Sequence, residues 1–598
     1  MMTQFDQRIE VLRQRMKEEN IDFYLIPTAD DHASEYISDY YKVRNYYAGF
    51  TGSAGTLLIG KDMAGLWTDG RYFIQAENQL AGSQVVLFRM ANAWVPTVQE
   101  YLEEHMPEGG TLAFDGQVVD LAQGKRYEAM METKGGKILW SEDMAGSYWT
   151  DRPERASKPV FELEEKYSGK SRAQKLADLK DYMTSKGGQN VLLASLEDIA
   201  WLLNLRGGDV THTPVFLAFA LVSEGKTNLY VDQAAVSETI CRNLAADGVE
   251  LKPYMSIYDD LKMLDGGKLL YDASKVNYAL SQCVPGSVEI VPSDIHVLIP
   301  KAIKNPVELA NLRSAHIKDG VAVTKFMYWL KTNVGKIPMS EIIASDYLAN
   351  LRSQIDTYID LSFDTIAAYK ANAAMMHYSA TPETDAQLKP EGMLLVDSGG
   401  QYYEGTTDIT RTFILGPVTE EEKKHFTLVA KSMLNLANAK FLYGCSGYNL
   451  DILARGPLWN IGIDYRCGTG HGVGYLLSVH EAPNGFRWKQ IPDRNDSAVL
   501  EEGMVTTDEP GVYIEGSHGI RTENEFICVK DELNEYGQFM KFEMLTWAPI
   551  DLDGIDPQWL NPDDLRQLNE YHAQVYEKLS PYLNEDEKAW LLNYTRAI

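Results

Sequence analysis

Apolar residues at Phe5, Ile9, Leu12 and Met16 recur at helical spacing and predict an amphipathic helix near the start of the chain. Residues 21–26 are apolar apart from Asp22 and predict a strand, and residues 55–60 and 64–69 predict two strands joined by a turn. Charged, helix-favouring positions at 154–181 predict a helix. A similar order then returns. Residues 45–52, an apolar strand, a Gly-Lys turn and residues 66–69 are matched by residues 201–208, 214–221, Gly225-Lys226 and 229–232. The correspondence runs over about 30 residues and predicts a duplicated α/β domain.

Asn305 before Pro306 is a helix-start signal, and Leu309, Leu312, His316 and Val321 continue the helical pattern behind it. Near the end, Asn561 precedes Pro562, and Leu565, Leu568, His572, Val575 and Leu579 share one helix face. These signals divide the chain into residues 1–155, 156–302 and 303–598, with an extension from about 536.

Composition narrows the function. The 598 residues carry 56 Lys and Arg against 85 Asp and Glu, a net charge of −29, which opposes binding to nucleic-acid phosphates or anionic lipid. Five cysteines, at 241, 283, 445, 467 and 528, form no CxxC pair and suit a reducing compartment. The longest notable apolar run, 215–222, is far too short to span a membrane, and acidic residues interrupt the N-terminal stretch, so no secretory signal is read there. A cytoplasmic protein is expected, with no nucleic-acid or membrane partner.

The chemistry concentrates after residue 390. Residues 393–413 predict a hairpin turning near Glu404-Gly405, with Asp397 and Asp408 placed almost symmetrically about that turn. Like charges facing each other across a hairpin lie about 5 Å apart and destabilise it, so a cation is expected between them. Residues 505–526 repeat the arrangement, with Glu509 and Glu523 equidistant from Gly516. Between the hairpins lies His471, flanked by Gly468, Gly470, Gly472 and Gly474, whose missing side chains let the backbone crowd a ligand. The segment fails the dinucleotide-binding pattern, because Tyr475 stands where glycine is required.

Four carboxylates and one imidazole make an oxygen-rich site for hard divalent ions, Mn²⁺ first, with Zn²⁺ or Co²⁺ as alternatives. Five ligands exceed the needs of one tetrahedral ion and suit two ions about 3.5 to 4 Å apart. Such a pair generates a bridging hydroxide and polarises a carbonyl, which implies hydrolysis. Rival nucleophile schemes are weaker: there is no GxSxG elbow and no HExxH, and Cys467 has no evident second base.

The motifs Asp397-Ser398-Gly399, Thr407-Asp408-Ile409-Thr410-Arg411, Gly470-His471-Gly472, Asp508-Glu509-Pro510-Gly511 and Arg521-Thr522-Glu523-Asn524 together resemble the pita-bread family of dinuclear metallohydrolases. The likeness is greatest to its long, three-domain aminopeptidase P branch and covers essentially the whole chain. It implies an α/β (α+β) fold, with two related creatinase-like α/β domains ahead of a pita-bread catalytic domain. It implies that Asp397 holds one metal, that Asp408 and Glu523 bridge both, and that His471 and Glu509 complete the shell. His377 and His480 match the family's substrate-side histidines, and Arg521 matches the arginine before the last metal glutamate. Two departures stand out: Cys467 where many relatives carry histidine, and a stretch at 368–374 with less glycine than usual.

The implied reaction removes the N-terminal residue from short peptides with proline second. Glu509 would take the proton, and His480 or His377 would bind the carbonyl oxygen. An Xaa-Pro dipeptidase and a non-catalytic binding module are the alternatives. A homodimer is expected mainly through the C-terminal domain, whose tail carries an apolar helix face with Trp547, Trp559 and Trp590.

Overall fold

The duplicated pattern becomes two sheets of one design. In the computed structural model, which describes residues 2–292, 297–490 and 496–598, the first sheet contains β1 (Phe23–Pro27), β2 (Thr56–Gly60), β3 (Ala64–Thr68), β4 (Val85–Arg89), β5 (Thr111–Phe114) and β6 (Lys137–Leu139), ordered β4-β3-β2-β1-β5-β6. The second contains β7 (Asn190–Leu193), β8 (Ala218–Ser223), β9 (Thr227–Val231), β10 (Val249–Pro253), β11 (Lys268–Tyr271) and β12 (Glu289–Pro292), ordered β10-β9-β8-β7-β11-β12. Strand directions correspond as well. The inner pairs β1–β2, β2–β3, β7–β8 and β8–β9 are antiparallel, and every outer pair is parallel. Parallel neighbours need crossovers, and helices Phe73–Leu80 and Glu238–Ala246 supply two of them.

Both sheets belong to one compact unit, made of the chain up to Glu164 and Lys170–Val297. A second unit comprises Glu165–Gly169 and Leu298–Ile598.

Two sequence expectations between residues 154 and 221 need correction. The helix read over 154–181 begins only at Arg172, capped by Ser171, behind a short strand at Phe161–Glu162 and a helical turn at Glu165–Ser168. Pro153, Pro159 and the left-handed Gly169 break the earlier stretch. The strand read over 214–221 begins at Ala218, because Val215 is held in a loop by hydrogen bonds with Thr213 and Asp209.

In the second unit, α1 (Pro306–Asn333) starts as expected. The Asn305 side chain accepts from the N–H groups of Val307 and Glu308, and Glu308 reaches back to Asn305. Helices α2 (Glu341–Ser353), α3 (Glu420–Ala437) and α4 (Gly447–Trp459) accompany two principal sheets. One contains β13 (Ile366–Tyr369), β14 (Met393–Ser398) and β15 (Ile409–Ile414). The other contains β16 (Lys440–Leu442), β17 (Gly470–Gly472), β18 (Glu481–Phe486), β19 (Val505–Asp508), β22 (Asn524–Asn534) and β23 (Gly537–Met544), ordered β16-β23-β22-β19-β17-β18. A separate ribbon pairs β20 (Gly511–Ile514) with β21 (His518–Arg521).

The tail folds onto this unit. Leu568, Val575 and Leu579 of α5 (Pro562–Leu579) and Leu591 of α6 (Glu585–Tyr594) join a core containing Phe426, Met433 and Phe526. Trp547 is only 7% exposed and stacks on Tyr571, while Trp590 packs edge-on against Tyr328. The apolar face expected to form a dimer surface is therefore spent on the chain's own core. Among the described residues no helix is long and apolar enough to cross a membrane.

Candidate metal centre

The first hairpin differs from its expected register. β14 and β15 place Thr410, not Asp408, opposite Asp397, and Ser398 opposite Ile409. Asp408 sits just before β15, diagonal to Asp397. The turn region keeps the same register, Gln401 opposite Thr406 and Tyr402 opposite Gly405, so the hairpin turns at Tyr403-Glu404, one residue later than symmetry between Asp397 and Asp408 requires, with Gly405 at φ 130°. The Asp408 N–H donates to Glu525 Oε1 at 2.6 Å.

The second hairpin has the expected symmetry. One ladder ends with Asp508 opposite Asn524, the next begins with Gly511 opposite Arg521, and Glu509 and Glu523 fall in the gap between them. Gly516, at φ 73°, takes the turn. The hairpins are stitched together at Thr410. Its hydroxyl donates to Glu523 Oε2 at 2.6 Å, and its carbonyl accepts from the Glu523 N–H at 3.1 Å.

His471 lies on β17. The glycines beside it make room for neighbouring strands rather than for a ligand: a Cβ on Gly470 would come within 1.9 Å of the Thr507 carbonyl, and one on Gly472 within 2.3 Å of that of Glu481. His471 Nδ1 lies 2.9 Å from the Gly472 carbonyl oxygen, and a proton donated there leaves Nε2 to offer its lone pair to a cation. That Nε2 is 3.6 Å from both Asp408 Oδ2 and Glu509 Oε1. Asp408, His471 and Glu523 offer ligand atoms that all lie within 4.8 Å of one another.

Charge explains what this cluster is fit to hold. Burial raises the Asp408 and Glu523 pKa values well above the usual carboxylate range, and repulsion among Asp397, Asp408, Glu509 and Glu523 adds to it. Glu509 shifts the same way, burial again leading. Asp397 Oδ1 and Asp408 Oδ1 are buried without a hydrogen-bond partner. Crowded carboxylates with orphaned oxygens beside one imidazole fit divalent cations.

Arg521 braces the cluster. Its guanidinium pairs with Asp397, donates to Tyr513 Oη at 2.7 Å and to Thr410 Oγ1 at 3.0 Å. Burial would lower its pKa, but Tyr513 and Asp397 outweigh burial and hold it above the usual arginine value. The His480 ring stands edge-on to His471, with centroids 4.3 Å apart. His377 follows the 3₁₀ turn Lys370–Ala374, which packs on β14 and on the β20–β21 ribbon. Cys467 is no thiolate here: burial and the charge of Glu509 push its thiol up to about 12.

The structure also reveals supports that sequence reading missed. Glu525 is buried between the Asp408 N–H and His316 Nε2, at 2.6 and 3.2 Å, and His316 Nδ1 is tied to the Leu312 carbonyl at 2.8 Å. Tyr513 supports Arg521. A Glu inside an apolar strand was the available signal for Glu525; nothing local marks His316, which reads as one more position on a helix face.

Two stretches of the second unit match known peptidase regions: residues 310–530 match metallopeptidase family M24, and residues 538–598 match the C-terminal region of peptidase M24. Residues 8–138 and 151–308 each match the creatinase/prolidase N-terminal domain. Fold and site thus define a metallopeptidase, a hydrolase with creatinase-type domains ahead of its catalytic domain. The probable Xaa-Pro aminopeptidase P of Paracoccidioides brasiliensis (strain Pb03) is 37% identical over 615 residues, covering 99% of each chain. Aminopeptidase P2 of Arabidopsis thaliana is 36% identical over 634 residues, covering 99% of this chain and 88% of the plant protein. The X-prolyl aminopeptidase of Caenorhabditis elegans, a cytosolic enzyme with a di-nuclear active site, superposes over the whole of both chains with a TM-score of 0.94 at 30% identity. An Xaa-Pro dipeptidase of Bacillus anthracis shares the fold over 64% of this chain, with a TM-score of 0.50 at 22% identity. The chain belongs to the Xaa-Pro aminopeptidase P family.

Proposed function

We propose that the enzyme removes the N-terminal residue from short peptides whose second residue is proline. The observation that carries this reading is full-length similarity to Xaa-Pro aminopeptidases combined with a convergent Asp408–His471–Glu523 cluster. A bond to proline is a tertiary amide without an N–H, so recognition has to work through the carbonyl and the free amine instead.

Asp397, Asp408, His471, Glu509 and Glu523 would hold two divalent cations. Mn²⁺ suits this mostly carboxylate set, and Zn²⁺ or Co²⁺ are alternatives. When bound, the pair supplies Lewis acidity that activates water and polarises the scissile carbonyl. Glu509 would accept the proton of the attacking water, and burial raises its pKa above the ordinary glutamate value. His480, beside His471, donates a hydrogen bond to the carbonyl oxygen as it gains charge. His377, by its family resemblance, would contact the substrate. Arg521 and Thr410 keep the Asp397 and Glu523 carboxylates aimed.

The chain would comprise three domains, 1–155, 156–302 and 303–598. A cytoplasmic location agrees with five free cysteines. A homodimer is retained, moved from the tail to the face bearing Trp459 and Trp488, which are 40% and 49% exposed and meet edge-on at 5.9 Å. Light scattering should then report twice 67.3 kDa, and a single-chain mass at every concentration would reject the dimer.

The test of function is hydrolysis of Arg-Pro-Pro, beside Xaa-Pro dipeptides, by metal-stripped enzyme before and after adding Mn²⁺, Co²⁺ or Zn²⁺. Arginine release that returns with metal supports the reading. Cleavage of dipeptides alone would make the enzyme a dipeptidase.

A further inference from the structure

Glu341 is the first residue of α2 and is 0% exposed. Its carboxylate accepts four hydrogen bonds. Oε1 receives the Tyr369 N–H at 2.6 Å and the Asn372 side-chain amide at 3.0 Å. Oε2 receives the Tyr378 hydroxyl at 2.9 Å and the Ala386 N–H at 3.0 Å. The N-terminus of α2 adds its partial positive charge.

The donors are distributed along one segment. Tyr369 ends β13, Asn372 sits in the 3₁₀ turn, Tyr378 is the residue after His377, and Ala386 lies on the return of the chain. Asn372 also donates to Tyr378 Oη at 3.1 Å, which closes the hub on itself. Glu341 therefore grips the loop carrying His377 at both ends and in the middle.

That loop abuts the site. A Cβ on Gly519 of β21 would come within 1.8 Å of the Ala373 carbonyl, so the 3₁₀ turn lies directly on the ribbon that carries Arg521. Burying a carboxylate costs desolvation that a nonpolar side chain would avoid. What the carboxylate adds is direction: two oxygens aim four donors and leave the loop one shape.

We infer that Glu341 is a positioning residue for His377, holding its loop so that the imidazole is presented to substrate. This rests on the reading of His377 as a substrate contact.

The test is a double-mutant cycle in the full-length, metal-loaded enzyme with Arg-Pro-Pro as substrate. Glu341→Gln keeps the shape but turns one acceptor into a donor facing the Ala386 N–H. It should retain its metals and lower kcat/KM by about 10- to 100-fold, the scale of a small misplacement of a reacting group. In a His377→Ala background the same change should add almost nothing. Wild-type kcat/KM in Glu341→Gln, or losses that multiply in the double variant, would overturn the inference. A His377→Ala enzyme of unchanged rate would overturn the reading of His377 itself, and the inference with it. If Glu341→Gln does not fold, Tyr378→Phe removes one hydroxyl from the hub; its smaller loss should likewise vanish behind His377→Ala, and persistence there rejects the proposal.

Discussion

Glu509 and Glu523 occupy matching positions on either side of Gly516, in the gap where one antiparallel ladder ends at Asp508–Asn524 and the next begins at Gly511–Arg521. Neither is inside a ladder, so both side chains are released from strand alternation and can turn toward the same space. The adjoining hairpin supplies Asp397 within a strand and Asp408 just outside one.

Asp408→Ala and Glu523→Ala should each abolish activity together with stoichiometric metal loading. Each removes a carboxylate from the crowd that makes the site attractive to cations. Metal analysis after gel filtration, paired with peptide hydrolysis, checks this. Two tightly held metals per chain and normal turnover in either variant would refute the ligand assignment.

His480→Ala should keep both metals and lose about 10²- to 10³-fold in kcat, the usual effect of deleting one preorganised donor to a developing oxyanion. Loss of metal instead would move His480 into the coordination shell.

Acid should weaken the catalytic unit through His572. This residue is buried, its Nε2 accepts the Ile550 N–H at 3.1 Å, and burial, aided by the charge of Arg411, takes its pKa from 6.5 to about 3. The folded state keeps the ring neutral while the unfolded state takes up a proton below 6.5, so this contribution is complete above 6.5 and is lost as the pH falls toward about 3. The stability advantage of wild type over His572→Gln should shrink by about 1.4 kcal/mol per pH unit in that window. Urea unfolding at pH 7 and pH 5 measures it, and a constant difference would reject it.

Leu579→Ala should destabilise the catalytic unit by about 2 to 5 kcal/mol, as expected for a buried leucine. Leu579 is fully buried in the core that also contains Phe426 and Val575. Chemical denaturation followed by tryptophan fluorescence reads the shift. A negligible change would mean that the tail is dispensable to the core.

Local rules made several features legible in the sequence. The Asn305 and Asn561 caps, the symmetry of Glu509 and Glu523 about Gly516, and the repeated strand pattern depend on neighbours a few residues away, where spacing determines geometry. Asp397, Asp408, Glu509, Glu523 and His471 stood out as candidate ligands because they form two carboxylate pairs about hairpin turns and a glycine-flanked imidazole, whereas His480 came only from the family resemblance. Tertiary structure alone decided the rest. The register of the first hairpin depended on how residues 400–406 pair within the turn. The destination of the tail depended on which apolar face it met: Trp547 was free to cover its own core or another chain's, and its own core was present at high effective concentration. Glu525 reaches the Asp408 N–H across 117 residues and Glu341 reaches Ala386 across 45, contacts that exist only once separate strands and helices have packed. Hydrogen bonds of that separation leave no periodic trace, because the free energy that selects them comes from burying both partners together rather than from any preference of the local chain.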